Sequence, residues 1–171
     1  MNFPEAVLER ARTVSLVSFD VDGVLTDGRI IYSDAGDEIK AFHVQDGSAI
    51  QLLRSCGITV ALISGRSSPT VTRRGAELGI EHVHQGIRDK AAVLAELTTG
   101  LGLRPDAAAH VGDDLPDLAI FGVVGLAIGV ANGHPSVLAR SHYVTQLAGG
   151  QGVAREVCEL LLKARKQWPY D

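Results

Sequence analysis

Apolar and polar residues fall into distinct periods along the chain. Residues 14–19 form a β-branched and aromatic run that stops abruptly at Asp20, which predicts a strand buried on both faces with Asp20 at its C-terminal edge. A short helix-like lead precedes it. Residues 28–44 alternate apolar and polar positions on either side of Asp34-Ala35-Gly36-Asp37, a turn-rich tetrapeptide, so a β-hairpin is predicted there. From Ser48 the period changes: Ala49, Leu52 and Leu53 fit one face of a helix, Gly57 stops it, and residues 58–63 read as a strand. The step repeats, with helices over 69–78, 90–101 and 115–121, strands over 80–84 and 107–111, an apolar run at 124–128, a short helix near Ser136 and a strand at Tyr143. Strands alternating with helices specify an α/β fold, a doubly wound parallel sheet, with the β-hairpin inserted after the first strand.

Toward the C-terminus, Gly149-Gly150-Gln151-Gly152 reads as a flexible joint, followed by an amphipathic helix over 153–165 in which Val153, Val157, Leu160 and Leu161 are apolar. The tail, 166–171, carries no such period and is expected to be disordered. At 171 residues the chain fits a single domain, 1–171, with a real hydrophobic core. Apolar residues make up 46% and charged ones 21%, proportions that exclude a disordered or fibrous chain. A net charge of −4 with no basic run argues against nucleic acid as a partner. The longest apolar stretches, 58–63 and 123–131, fall far short of the roughly 20 residues that cross a bilayer, so no membrane partner is expected. Residues 1–12 lack a basic segment followed by an apolar core, and a cytoplasmic chain is expected. In that reducing compartment Cys56 and Cys158 read as small buried apolar groups inside helices.

In an open parallel sheet the ligand crevice lies beyond the carboxyl ends of the strands. The predicted strand ends carry Asp20 and Asp22, Ser64-Gly65-Arg66, residues 85–90 ending in Lys90, and Gly112-Asp113-Asp114. Each piece alone has a plain structural explanation: a turn for Asp-x-Asp-Gly, a helix cap for Asp114 or Ser64, a surface position for Lys90. Their joint placement at successive strand ends is what points to a site. Carboxylates gathered at one edge repel, and an oxygen-ligated divalent cation of the magnesium type relieves the repulsion; no His/Cys cluster has zinc spacing. Such a cation with Lys90, Ser64 and backbone amides suits a phosphate. A carboxylate in line with the phosphorus can attack it to give an aspartyl-phosphate, so the reaction class is phosphoryl transfer. Neither Gly-x4-Gly-Lys-[Ser/Thr] nor Gly-x-Gly-x-x-Gly occurs, which disfavours kinase and dinucleotide readings.

Phe19-Asp20-Val21-Asp22-Gly23-Val24-Leu25-Thr26, Ser64-Gly65-Arg66, Lys90, and Gly112-Asp113-Asp114 with Asp117 resemble the four motifs of the haloacid dehalogenase superfamily of phosphatases. Other stretches narrow the resemblance: Asp27-Gly28 leading into a short hairpin in place of a cap domain, Arg66 with Arg73-Arg74, Leu78-Gly79-Ile80, Gln85-Gly86, Ala131-Asn132-Gly133-His134-Pro135, and Ala148-Gly149-Gly150-Gln151-Gly152 with Arg155-Glu156-Val157-Cys158. Over residues 16–164 the pattern resembles the 3-deoxy-D-manno-octulosonate 8-phosphate phosphatase family. The resemblance implies a Rossmann-like sheet of the haloacid dehalogenase type. It also implies a magnesium-dependent phosphoric monoester hydrolase that releases the free sugar acid and phosphate through an aspartyl-phosphate, in lipopolysaccharide precursor synthesis.

By the same resemblance Asp20 is the nucleophile and a magnesium ligand, and Asp22 is the general acid and base, ligating through its main-chain carbonyl. Asp113 is a further ligand, with Asp114 and Asp117 orienting ligands or waters around the metal. Ser64 binds a phosphoryl oxygen and Lys90 neutralises charge. Substrate contacts are implied for Asp22, His43, Val44, Gln45, Asp46, Gly47, Gly65, Arg66, Arg74 and Lys90, the arginines being natural partners of a sugar carboxylate. His43 and Gln45 depart from the Asn and Arg expected there, and His43 is read as covering the site.

A nine-carbon acid sugar 9-phosphate of the sialic acid type is the alternative substrate. A non-catalytic receiver-like module also gathers Asp, Ser or Thr, and Lys around magnesium, but its phosphorylated Asp follows a middle strand, and it has no use for Asp22. The resemblance finally implies a homotetramer in which hairpins gather centrally and each site is covered by a neighbour. Ile30, Ile31, Ile39 and Phe42 would leave an exposed apolar hairpin on a monomer, and the C-terminal helix is read as a mobile lid over a neighbouring site.

Overall fold

The protein is described by a computed structural model over residues 1–170; Asp171, the end of the expected tail, lies outside the described residues. Helix α1 (Glu5–Arg12) leads into β1 (Leu16–Phe19), after which a kinked helical turn spans Val21–Leu25. The hairpin β2 (Ile31–Tyr32) and β3 (Glu38–Ile39) follows, then α2 (Val44–Ser55), β4 (Thr59–Ile63), α3 (Pro69–Glu77), β5 (His82–His84) and α4 (Lys90–Gly100). The second half contains β6 (Ala108–Gly112), α5 (Leu118–Phe121), β7 (Leu126–Gly129), α6 (Pro135–Leu138), β8 (Tyr143–Val144) and α7 (Val153–Ala164), with single 3-10 turns at Pro105–Ala107 and Leu115–Asp117.

The main sheet is parallel throughout, ordered β5-β4-β1-β6-β7-β8. Chain order therefore reverses direction at β1, whose neighbours are β4 and β6, and in such sheets the ligand crevice opens at that switch point. Every residue of β1 is buried, as a strand covered by helices on both faces requires. Leu53, Val71, Val157 and Leu160 belong to the core on one face, and Leu94, Leu97, Ile120 and Val137 to the core on the other. Among the described residues no helix is long and apolar enough to cross a membrane.

Several expectations change. Helix α2 begins at Val44, not Ser48, because the polar Asp46-Gly47-Ser48 stretch, read as a hairpin end, is a first helical turn. An acidic residue there is favoured by the helix dipole. Phe42 turns in against the core instead of standing exposed on the hairpin. Helix α7 is no lid. Its Val153, Ala154, Val157, Cys158, Leu160, Leu161 and Leu162 are fully buried, and it packs against α1 and α2.

The glycine segment before α7 is not a loose joint. Gly149 donates its N–H to Asn132 Oδ1 at 2.9 Å, and Gly150 N–H donates to the Val24 carbonyl at 2.9 Å. The segment is further held by Glu156, which is fully buried and accepts from Tyr143 O–H at 2.6 Å and from the Gln146 and Leu147 amides at 2.8 and 3.1 Å. Nor is the described part of the tail detached, since Trp168 packs against the core. Cys56 ends α2 half-buried and Cys158 is buried in α7, both as free thiols.

Candidate active site

The β1 strand delivers Asp20 to the switch point. Its N–H donates to the Val111 carbonyl at 2.9 Å, continuing the ladder with β6, and its Oδ1 accepts from the Val21 amide at 2.7 Å. The chain then turns sharply at Gly23, whose φ is 98°, a left-handed conformation that L side chains rarely adopt. Space demands glycine there as well, since a Cβ would stand 2.1 Å from Asp113 Oδ2. The turn is backed by the C-terminal glycines: a Cβ on Gly149 would stand 1.8 Å from the Gly23 carbonyl oxygen.

A crevice of about 290 Å3 at these strand ends is lined by Asp20, Asp22, Ser64, Arg66, Lys90 and Asp113, with Gly65, Asp114, Gly28 and Pro116 at its sides. Lys90 opens α4, next to the cap Asp89, whose side chain accepts from the Ala92 amide. A cation at a helix N-terminus opposes the dipole, and carboxylates hold this one. Lys90 is 3% exposed, with Nζ 2.9 Å from Asp20 Oδ2 and 2.6 Å from Asp117 Oδ1. Asp117 Oδ1 also meets His110 Nε2 at 3.0 Å, while its Oδ2 accepts from the amides of Asp113 and Asp114 at 3.0 and 3.3 Å. Asp114 caps the next turn, its Oδ1 accepting from the Leu115 amide at 2.8 Å. Ser64 Oγ is buried beside the crevice and accepts from the Arg66 amide at 3.3 Å.

The hairpin closes one side with charge. Lys40, its side chain 1% exposed, pairs with Asp22 Oδ1 and, at 2.7 Å, with Glu38 Oε1. Arg66 lies 3.3 Å from Glu38 Oε2 and 3.7 Å from Asp22 Oδ2. Lys40, Glu38 and His110 were not singled out in the sequence. Each sits in a strand or strand end whose alternation gives no hint of its partner.

Other expected substrate contacts lie outside this crevice. Arg74 stacks over the Phe42 ring at 5.8 Å and pairs with Glu77 at 3.4 Å. A Cβ on Gly47 would stand 2.4 Å from its Nη2, so Gly47 makes room for that side chain. Asp46 is 3% exposed and accepts from the Arg155 amide at 2.9 Å, where it satisfies an N-terminal donor of α7. His43 and Gln45 face Gly152, with His43 Cε1 and Gln45 Oε1 each 3.9 Å from where a Cβ would stand. Val44 is 76% exposed.

The electrostatics favour a cation. Burial pushes the Asp20 carboxyl up; Lys90 opposes the push and Asp117 adds to it. Burial and the negative charges of Asp20, Asp117 and Asp114 push Asp113 up to about 7. Burial works against ionised Asp117 too, but His110 and Lys90 hold its carboxyl well below the usual range. One oxygen each from Asp20, Asp113 and Asp117 lies within 4.8 Å of the others. Asp117 is already committed to Lys90, His110 and the two amides, whereas Asp113 Oδ1 is buried without a hydrogen-bond partner. Asp20 and Asp113 therefore fit a hard, oxygen-ligated divalent cation.

A family profile described as haloacid dehalogenase-like hydrolase matches residues 80–157. Over 159 residues the chain is 43% identical to the 3-deoxy-D-manno-octulosonate 8-phosphate phosphatase of Yersinia pestis, covering 93% of this chain and 85% of that protein. It belongs to that family of hydrolases. The corresponding protein of Escherichia coli K12 is 44% identical over the same shares. A crystal structure of the Moraxella catarrhalis 3-deoxy-D-manno-octulosonate 8-phosphate phosphatase, in complex with magnesium ion, phosphate ion and KDO molecule, superposes with a TM-score of 0.93 at 47% identity, covering 96% of this chain and 94% of that one. Membership makes the chain a phosphoric monoester hydrolase of the haloacid dehalogenase type, with its strand-end crevice at the usual position for an open α/β sheet.

Proposed function

We propose that the protein hydrolyses 3-deoxy-D-manno-octulosonate 8-phosphate to the free sugar acid and phosphate, with magnesium as cofactor, as a step in lipopolysaccharide precursor synthesis in the cytoplasm. The observation that carries the reading is the Asp20 carboxylate held against Lys90, with the partnerless Asp113 oxygen in the same crevice. Identity above 40% to phosphatases of that name supports the substrate. The whole chain serves as one hydrolase domain without a cap.

Asp20 attacks phosphorus, forming an aspartyl-phosphate as the ester bond to the sugar oxygen breaks. Asp22 gives its proton to the departing oxygen, then takes one from the water that attacks the aspartyl-phosphate, which releases phosphate and restores Asp20. The Lys90 ammonium and the Ser64 hydroxyl meet the non-bridging oxygens, and the Val21 amide keeps Asp20 oriented. Asp20, Asp113 and the Asp22 carbonyl would hold magnesium, which would supply the positive charge that lets carboxylates and a phosphate share the crevice. Arg66, beside Asp22 and Glu38, offers its planar fork to the sugar carboxylate.

The rest of the substrate is covered in a homotetramer. Ile30, Ile31, Tyr32 and Ile39 are between 44% and 62% exposed, and the hairpin is too short to enclose the crevice beside it. His43, Val44, Gln45, Gly47 and Arg74 lie outside that crevice, and we assign them to the rim that packing of copies completes.

Inorganic phosphate release, measured across a panel of eight-carbon and nine-carbon acid sugar phosphates and a neutral aryl phosphate, tests the reading. The eight-carbon ester should give the highest kcat/KM, and EDTA should abolish the rate until magnesium is restored. A higher kcat/KM for the nine-carbon ester would reassign the substrate, and full activity in chelator would remove the metal.

A further inference from the structure

His110 is fully buried in the middle of β6, on a strand otherwise made of small and apolar residues. A buried imidazole is costly unless both nitrogens are satisfied, and here both are. Parallel pairing sets Ser18 of β1 directly beside His110, and Ser18 Oγ meets Nδ1 at 2.8 Å. On the other side Nε2 lies 3.0 Å from Asp117 Oδ1. A carboxylate can only accept, so Nε2 carries a proton and donates to Asp117, while Ser18 Oγ, which also reaches the Ala109 carbonyl at 3.3 Å, partners Nδ1. The Phe121 ring, edge-on at 6.0 Å, closes the imidazole in.

From Asp117 the chain of contacts divides. Oδ1 reaches Lys90, and through it Asp20; Oδ2 holds the amides that begin the Asp113-Asp114 turn. We propose that His110 is a positioning residue for phosphoryl transfer: by donating to Asp117 it fixes the carboxylate that sets both Lys90 and the Asp113 turn. An oxygen shared between two donors holds each less tightly, which leaves the Lys90 ammonium available to Asp20 and the phosphoryl oxygens. Without the imidazole, the carboxylate would turn toward Lys90 and loosen its hold on the two amides. Space filling alone would be served as well by an aliphatic side chain, whereas this geometry requires an N–H at the Nε2 position.

The inference rests on the phosphatase reading, and two amide variants test it. In His110→Gln the side-chain N–H reaches the Nε2 position; in His110→Asn it reaches only the Nδ1 position. His110→Asn should lower kcat for an aryl phosphate by about tenfold to a hundredfold with KM changed less than about twofold, and should weaken magnesium binding to the metal-free protein, read by calorimetry, by about tenfold. His110→Gln should recover most of both. Equal impairment of the two variants, in folding or in turnover, overturns the proposal, as does wild-type kcat and magnesium affinity in His110→Asn. Calorimetry needs no ester, so a failed substrate panel would leave this result readable by itself.

Discussion

The strand-end half of the crevice and its hairpin half are built in opposite ways. At the strand ends Lys90 and Asp117 are over-determined: Lys90 is shared by Asp20 and Asp117, and Asp117 in turn by Lys90, His110 and two amides, almost all of it shielded from water. On the hairpin side, Lys40, Glu38, Asp22 and Arg66 form a ring of pairs, with Lys40 buried and Arg66 at the edge of solvent, flanked by exposed Ile31, Tyr32 and Ile39. The first half is fixed by the sheet that carries it, because strands cannot shift register without expelling the core. The second rests on strands of two residues each, far too little pairing to hold a shape alone. In the proposed mechanism the groups that meet phosphorus and its oxygens, Asp20, Ser64 and Lys90, thus stand on the rigid half, while Asp22 and Arg66 face the hairpin.

The sharpest break in this contrast is Asp20→Asn, which keeps size and removes the proposed nucleophile. Turnover should fall by at least about a thousandfold while the melting temperature holds or rises, because a buried carboxylate facing Asp113 is gone. A variant with measurable wild-type turnover would remove Asp20 from the reaction.

Next in size is Gly149→Ala, which acts on the rigid half from behind. The new methyl would overlap the Gly23 carbonyl, so the turn that follows Asp20 must shift. Stability should drop by about 1–3 kcal/mol and kcat by roughly a hundredfold, measured by thermal melts and phosphate release. An unaffected kcat would show that the turn does not lean on the C-terminal segment.

On the hairpin, Ile31→Glu should convert the particle in light scattering from about four chain masses to one. It should cut kcat/KM for the acid sugar phosphate by roughly tenfold, with less effect on an aryl phosphate. Equal losses on both substrates would erase the distinction between the halves.

The effect with the least bearing on turnover is electrostatic and is read in stability. Asp113 stays protonated in the folded, metal-free protein up to about pH 7, whereas an unfolded carboxyl releases its proton near pH 4. Between these values the unfolded state binds fewer protons, so this group's contribution to stability falls as pH rises from about 4 to 7 and is flat above. Metal-free melting temperatures should decline over that window, magnesium should raise them most at pH 8, and Asp113→Asn should remove both trends. A metal-free melt insensitive to pH in Asp113→Asn and wild type alike would contradict it.

Local periodicity was enough to reveal the alternating strands and helices, and hence where Asp20, Ser64, Lys90 and Asp113 gather, because a parallel sheet always brings its strand ends to one edge. The same local signal misled at α2, where Asp46 and Gly47 look like turn residues but serve a helix start: Asp46 satisfies the Arg155 amide and Gly47 makes room for Arg74. It misled again at Gly149 to Gly152, where glycine marks close approach of two backbones, not freedom. A composition of glycines reads the same in either case, and only the partner decides.

What the sequence by itself determined is the order of elements and the identity of the strand-end carboxylates, since these depend on residues near one another in the chain. What the tertiary structure alone decided is which charges face each other. Lys40 meets Asp22 across the hairpin. Ser18 meets His110 because β1 and β6 pair in one register out of many. Helix α7 is a core element because α1 and α2 close over it. Such pairings join positions 18 to 92 or more residues apart, and a contact over that distance follows from packing the whole core, which no local window of sequence contains.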